Sequence, residues 1–275
     1  MDVALPQTPD DRLGQIESNL RQFGAYPRLG RPSTERDGLL AVVGFGTSLL
    51  ETWEKVREAD AIVTTSGAHD FLIARGIVPT YHVEIDPRSH KAFFLRKSHP
   101  KVHYLIGSQC HPSLYAQLYA KRRRVTICHH YTDEDRDRQV ELIKRYEPNA
   151  VLLAGGTNAG LRANIVGRHL GFRRFALHGI DCCYDGDQEW AGPHSGTKHV
   201  KVKVKVEGRV FSTSDLMMQA TDDFFNQMFM IGGCQFTIHG DGLLATRLEI
   251  YRNDPELACS REWWKPVDFT LKAEA

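Results

Sequence analysis

Short apolar runs alternate with segments whose apolar residues recur at helical spacing, from about residue 39 to about residue 180. The run at 39–43 is short enough for a buried strand, and the apolar residues after Ser48 have helical spacing. Between the two lies the glycine-containing turn Gly44-Phe45-Gly46-Thr47-Ser48. The main pattern therefore begins with a strand, a glycine turn and a helix, which is typical of an α/β fold.

The same alternation predicts the remaining elements. A first helix is expected after Thr8, because a capping threonine, a proline and then Asp11 form a good helix start. Further strands are predicted near 60–65, 79–85, 102–106, 124–128, 151–154, 175–178 and 234–239. Further helices are predicted near 67–75, 88–97, 111–120, 133–146, 161–170 and 212–230.

A strict alternation of valine and lysine at 200–206 predicts a half-buried strand with its valines inward. Glu207-Gly208 turns this strand back as a hairpin, and its outward lysines either protect an exposed edge or meet an anionic acceptor. We divide the chain into an N-terminal helix and connection at 1–37, an α/β domain at 38–245 and a C-terminal tail at 246–275.

Two glycine turns at predicted strand ends form the first candidate site. The turns consist of Gly44, Gly46, Thr47 and Ser48, and of Gly155, Gly156, Thr157 and Asn158. Glycine lets the backbone approach a ligand, and amides that open a helix attract anions. We expect both turns at the tips of neighbouring strands, where they would grip a phosphorylated ligand. The alternative is two tight connections without a ligand; NAD is not favoured, because the first turn lacks a third glycine.

Acidic residues at two further strand ends are the next candidates. Asp86 follows the strand predicted near 79–85, and Asp181 follows the strand at 175–178. Open α/β sheets bind ligands at the carboxyl ends of their strands, so we expect a nucleotide across the first glycine turn and Asp86. The polar segment from 182 to 198 contains His194, and its composition indicates a lid or substrate loop.

Composition narrows the class of protein. The chain has 275 residues, a formal net charge of +1 and 41% hydrophobic residues, so a large core is expected and no overall field recruits nucleic acid. We expect a cytoplasmic protein, because the sequence shows neither a membrane-spanning apolar run nor a signal-peptide pattern at its start. The six cysteines lack Cys-x-x-Cys spacing and are expected to be reduced.

Five elements, in order, resemble one known family. They are Gly44-Phe45-Gly46-Thr47-Ser48-Leu49; Thr65-Ser66-Gly67-Ala68; Gly76-Ile77-Val78-Pro79 with Val83-Glu84-Ile85-Asp86-Pro87; Gly155-Gly156-Thr157-Asn158-Ala159; and Leu170-Gly171-Phe172 with His178-Gly179-Ile180-Asp181. The family is the MptE-like 6-hydroxymethylpterin diphosphokinase domain. It includes the flagellin glycosyltransferases known as motility-associated factors and is distantly similar to bacterial sialyltransferases.

This resemblance implies an α/β fold with a Rossmann-like, mostly parallel sheet flanked by helices, to which the β-hairpin and a C-terminal helix are appended. It also implies a transferase that uses a nucleotide donor and holds no cofactor tightly. The donor would lie over the two glycine turns, with Ser66 and Asp86 near its nucleoside or phosphates. A homo-oligomer is compatible with the sequence.

The resemblance leaves two chemistries and one alternative without chemistry. Glycosyl transfer from a CMP-type nucleotide-sugar to a hydroxyl on a small molecule, glycan or protein needs a base, for which His194 is the candidate, with Asp181 at the transferred group. Diphosphate transfer from ATP to a 6-hydroxymethylpterin-like alcohol needs Mg²⁺, for which Asp86 and Asp181 are the candidate ligands. The third hypothesis is a nucleotide-binding module without turnover. We favour glycosyl transfer, because the segment 179–186 followed by 193–197 resembles the corresponding segment of the flagellin-modifying branch.

Overall fold

The computed structural model describes residues 8–192 and 200–267. Its main sheet has eight strands in the order β10-β7-β1-β2-β3-β4-β5-β6, and every neighbouring pair is parallel. The strands are β1 Leu39–Val43, β2 Ala61–Thr65, β3 Tyr81–Glu84, β4 His103–Gly107, β5 Arg124–His130, β6 Leu152–Leu153, β7 Arg174–His178 and β10 Gln235–Ile238. The predicted α/β class with a mostly parallel sheet is confirmed.

Helices flank the sheet. They are α1 Pro9–Gln22, α2 Leu49–Thr52, α3 Ala68–Ile73, α4 Pro112–Ala120, α5 Arg136–Tyr146, α6 Ala159–His169, α7 Asp215–Met230, α8 Leu243–Asn253 and α9 Pro255–Cys259. Short 3-10 helices span Trp53–Glu58, Ser89–Leu95 and Asp133–Asp135. No helix in this described part of the chain combines the length and apolar character needed to cross a membrane.

The strand order reverses beside β1. The strands from β1 to β6 run outward in sequence order, and the chain then returns through α6 so that β7 pairs with the other side of β1. The second glycine turn follows β6, which is separated from β1 by four strands, so the expectation that both turns lie on neighbouring strands was wrong. Ligand crevices of open α/β sheets form where the order reverses, outside the carboxyl ends of the strands.

Alternating side chains of β1 build the core on both faces of the sheet. Leu40 and Val42 face the cluster that includes Ile165 of α6, whereas Ala41 and Val43 pack on the other face. The crossover helix lies close to the sheet because Gly167 has no side chain: a Cβ there would lie 2.6 Å from the Leu40 Cδ2 atom. The return of the chain over the sheet is therefore fixed by close packing.

The valine–lysine segment forms the predicted hairpin. Strand β8 (Lys201–Val206) pairs antiparallel with β9 (Arg209–Ser214), and β11 (Lys265–Pro266) adds a third strand. Val204 and Val206 are buried, but Val202 is 41% exposed, so the expectation that all the valines face inward was wrong. The buried pair reaches the cluster made by α8 and Trp263, whereas the start of the strand extends beyond this apolar support.

Both ends of the chain pack onto the α/β unit. The predicted start of α1 is confirmed, because Thr8 and Asp11 form a reciprocal capping box. Asn19 of α1 is fully buried and donates to the carbonyl oxygens of Ser108 and Cys110, 2.9 and 2.7 Å away. Near the other end, α8 crosses the predicted boundary at 245/246, and its first half joins the main core. The division into three parts stays a prediction.

Candidate functional site

A pocket of about 560 Å³ opens at the carboxyl ends of the parallel strands. Its lining includes seven predicted site residues, namely Gly44, Gly46, Ser66, Asp86, Thr157, Asn158 and Asp181. The crossover through α6 brings the second glycine turn to this pocket even though β6 lies far from β1. The predicted catalytic residue His194 lies outside the described residues.

The first glycine turn is closed by the carboxylate of Asp181. The Ser48 amide donates to Asp181 Oδ2 over 3.0 Å, the Ser48 hydroxyl donates to Oδ1, and the Thr47 hydroxyl lies 3.5 Å from Oδ2. Only glycine fits at position 46, because a Cβ atom there would lie 2.4 Å from Asp181 Oδ2. The Ser48 amide, predicted to receive an anion, thus donates to a carboxylate of the chain itself.

Burial raises the pKa of Asp181, and the hydrogen bonds from Ser48 and Thr47 oppose this rise. The backbone around Asp181 is held on two sides. The Gly46 amide donates to the Gly179 carbonyl oxygen over 2.8 Å, and the Leu244 amide at the start of α8 donates to the Asp181 carbonyl oxygen over 3.1 Å. This carboxylate is therefore fixed at the junction of β1, β7 and α8.

The second glycine turn has the same design. Gly155 and Gly156 have φ values of 90° and 87°, a region that favours glycine. The next amide, of Thr157, donates to Asp223 Oδ2 of α7 over 2.8 Å, and the Asn158 side chain accepts from the Leu161 amide over 2.9 Å and caps α6. Each turn thus has at least one amide directed at a side-chain oxygen of the chain.

Asp86 is paired with two cations at the end of β3. Arg88 Nε lies 2.9 and 3.0 Å from the two carboxylate oxygens, and Lys91 Nζ lies 3.1 Å from Oδ2. Burial opposes ionisation of Asp86, but the hydrogen bonds from Arg88 and the charge of Lys91 outweigh it and lower its pKa to about 2. Asp86 is therefore a permanent anion that positions two cations at the pocket.

Ser66 lies at the end of β2, opposite Lys91. Its φ is 50°, an uncommon value for a residue other than glycine, and such backbone strain is concentrated at ligand sites. The Lys91 ammonium group, on a side chain only 6% exposed, lies 3.3 Å from Ser66 Oγ. Together they present a hydroxyl and a buried positive charge to the pocket.

A sequence model of the MptE-like family, described as 6-hydroxymethylpterin diphosphokinase MptE-like, matches residues 19–187, which is more than half of the chain. The chain belongs to this MptE-like family. The match covers β1 to β7 and therefore all the strands around the reversal except β10. No curated protein matches the sequence.

Three solved structures were compared with this family member, and the first of them shares its fold. The MAf glycosyltransferase from Magnetospirillum magneticum AMB-1 is 15% identical, with a TM-score of 0.63 over 86% of this chain. The chain spans only 38% of that enzyme. A mammalian sialyltransferase solved with Gal-beta-1-3GalNAc-ortho-nitrophenol is 13% identical, with a TM-score of 0.43 over 87% of this chain and 82% of that one. The Campylobacter jejuni sialyltransferase CstII, solved with cytidine-5'-monophosphate, is 12% identical, with the same TM-score over 78% and 84%.

The loop after β7 contributes an acidic residue, Glu189, to the pocket. The sequence alone did not indicate this residue as part of the site. Glu189 and Trp190 both line the pocket and lie just before the segment that contains His194. Burial raises the pKa of Glu189 to about 7, and the positive charge of Lys201 only partly opposes the rise. A carboxyl group with this pKa can give or take a proton near neutral pH.

The carboxylates predicted to hold Mg²⁺ are engaged elsewhere in this structure. Both oxygens of Asp86 accept from Arg88, and both oxygens of Asp181 accept from Ser48. Within residues 8–192 and 200–267, no three His, Cys, Asp or Glu residues form a group that could hold a metal ion. These donor sets do not fit a magnesium site as they stand, and the use of Mg²⁺ stays a prediction.

Proposed function

We propose that the protein is a nucleotide-dependent transferase that moves a glycosyl group from a CMP-type nucleotide-sugar to a hydroxyl acceptor. The proposal rests on one observation: the pocket at the strand-order reversal places the buried Lys91 ammonium group beside Ser66, where a leaving phosphate can be stabilised. A CMP-sugar releases a nucleoside monophosphate, whose charge these groups can meet. The fold shared with the MAf glycosyltransferase agrees with this reaction class.

In this proposal the two glycine turns shape the donor site. Gly44 and Gly46 line the pocket beside β1, and Thr157 and Asn158 line it as well. Thr47 and Ser48 act indirectly by holding Asp181, which faces the transferred group. Gly155 and Gly156 allow the chain to turn from β6 toward the pocket.

The acceptor is proposed to enter from the side of α7 and the loop after β7. Leu216 and Met217 of α7 and Trp190 of the loop give the pocket an apolar wall there. A base takes the proton of the acceptor hydroxyl as its oxygen bonds to the anomeric carbon. The bond between that carbon and the phosphate oxygen breaks, and its electron pair leaves with CMP.

Two side chains are candidates for this base. His194 keeps this role as a prediction from the sequence. Glu189 is the candidate among the described residues, because it lines the pocket and ionises near neutral pH. Both belong to the stretch of chain between β7 and β8.

A thermal-shift experiment tests the proposed donor. CMP, UDP, GDP, ADP and ATP are each added with EDTA or with Mg²⁺, and CMP should raise the melting temperature in EDTA, because a ligand of the native state stabilises it. Lys91→Met should abolish the shift. Lys97→Met, which removes an exposed lysine from the same segment, should preserve it.

Turnover is then measured as release of CMP from CMP-N-acetylneuraminate, first to water and then to added hydroxyl acceptors. Stabilisation by ATP alone, and only with Mg²⁺, would contradict the proposal and favour diphosphate transfer, the reaction in the family's name. Binding of CMP without its release from any CMP-sugar would favour a module without turnover.

A further inference from the structure

Besides the Thr157 hydroxyl, two buried oxygen atoms of pocket-lining side chains have no hydrogen-bond partner among the described residues. One is Oε2 of Glu84, the last residue of β3, and the other is Oε1 of Gln109, which follows β4. The two residues are 1% and 4% exposed, and both line the pocket. A buried acceptor without a partner is unfavourable, so a hydrogen-bond donor supplied by a ligand would remove this cost.

Local hydrogen bonds engage one end of each side chain and leave the other oxygen unpaired. Glu84 Oε1 accepts from the Ile85 and Asp86 amides over 2.9 and 3.0 Å, which leaves Oε2 as the free end of the carboxyl group. Gln109 Nε2 donates to the Ile85 carbonyl oxygen over 3.0 Å, so its amide oxygen must be the other end. Both side chains thus bind the backbone at Ile85 and Asp86, and each leaves one oxygen as a hydrogen-bond acceptor for a ligand.

We propose that Glu84 and Gln109 form a diol subsite that accepts hydrogen bonds from the two ribose hydroxyls of the nucleotide donor. This inference rests on the proposed function. Two acceptors repel a phosphate and need O–H or N–H donors. A ribose carries two neighbouring hydroxyls a short distance from its 5'-phosphate, which matches a pair of acceptors next to a cation.

The charged residues around Glu84 indicate where the phosphate and the ribose of the donor would each bind. Lys91 and Arg88 lie around Asp86, two residues after Glu84, and supply positive charge for the phosphate. Burial raises the pKa of Glu84, and the charge of Lys91 opposes the rise. Hydroxyl donors from a ribose would compensate for the hydration that this carboxyl group loses on burial and would favour its ionised form.

Calorimetric titration with CMP, 2',3'-dideoxy-CMP and UMP tests the subsite. The unaltered protein should bind CMP at least tenfold more tightly than the dideoxy compound. Glu84→Gln should reduce this ratio at least threefold, because its Nε2 places a donor where the ribose needs an acceptor. Gln109→Leu provides a second variant that removes the other acceptor, and Glu54→Gln, at an exposed position of a flanking 3-10 helix, should leave the ratio unchanged.

The outcomes separate this inference from the proposed function. Equal binding of CMP and its dideoxy form by the unaltered protein, or an unchanged ratio in both pocket variants, would overturn the diol subsite alone. A preference for CMP over UMP that disappears in Glu84→Gln would show that Glu84 accepts from the amino group of cytosine. That result would also overturn the diol subsite. Failure of both CMP and UMP to bind would overturn the CMP-type donor together with the subsite.

Discussion

The Ser48 amide donates to the carboxylate of Asp181 across 3.0 Å and so joins the turn after β1 to the residue that follows β7. The two residues are 133 positions apart in the chain, yet the parallel pairing of β1 with β7 places them side by side. Because the Ser48 amide before α2 already donates to this carboxylate, it is not available to bind an anionic ligand. In the proposed reaction, Lys91 and Ser66 would therefore meet the leaving phosphate in place of the Ser48 amide.

Asp181→Ala should lower the free energy of unfolding by about 2 kcal/mol, because the variant leaves the Ser48 amide and hydroxyl without their acceptor. Urea denaturation at pH 7 measures the change. Asp241→Ala removes an exposed carboxylate that pairs with Arg209 and should change the stability by less than about 0.5 kcal/mol. Equal effects of the two substitutions would contradict a structural role for Asp181.

Gly46→Ala should destabilise the protein by about 2–3 kcal/mol, because the new Cβ would meet Asp181 Oδ2 at 2.4 Å and the Gly179 carbonyl oxygen at 2.9 Å. The matched control is Gly14→Ala in α1, where a Cβ meets nothing within 4 Å. This control should stabilise the protein by about 0.5–1 kcal/mol through helix propensity. Thermal melting of both variants checks the opposite signs, and a harmless Gly46→Ala would show that the turn has free space.

If Glu189 is the base, the rate of glycosyl transfer should rise with pH through about 7, because only the carboxylate can accept the acceptor's proton. Glu189→Gln should remove this dependence and slow turnover by roughly a hundredfold or more. Initial rates of CMP release between pH 5 and 9 provide the measurement. Asp185→Asn changes an exposed carboxylate of the same loop and should keep the profile. A profile retained by Glu189→Gln and lost in His194→Ala would assign the base to His194.

Buried His178, which stacks on the half-buried His239, should make the protein less stable in acid. Their rings are stacked 4.3 Å apart, and burial, followed by the charges of His239 and Lys55, lowers the pKa of His178 to about 3. In the unfolded chain His178 binds a proton near pH 6.5, whereas in the folded protein it stays neutral at that pH. Neutral His178 therefore contributes to stability above pH 6.5, and this contribution is lost as the pH falls.

For His178 alone, this loss amounts to about 2 kcal/mol between pH 7.5 and pH 5. Denaturant unfolding at the two pH values should therefore show a smaller difference for His178→Phe, which keeps a ring against His239. The control His111→Asn, at the cap of α4, should behave like the unaltered protein. An unchanged difference in His178→Phe would show that other groups account for the acid sensitivity.

Local patterns predicted most of the elements but not the partners of the site residues. The glycine turns, the α1 cap and the hairpin were predicted because each depends on residues close in sequence. The bond between Thr157 and Asp223 was not, since these residues are 66 positions apart and no local pattern pairs them. Lys91 was missed because a lysine within a predicted helix carries no sign of its direction.

By itself, the sequence determined the order of strands, turns and helices, because hydrophobic period and turn chemistry act over a few residues. Only the tertiary structure decided which strand ends meet. The return of α6 across the sheet placed β7 beside β1 and brought the turn after β6 to the same pocket. Such contacts depend on long-range packing of buried faces, and no local pattern specifies them.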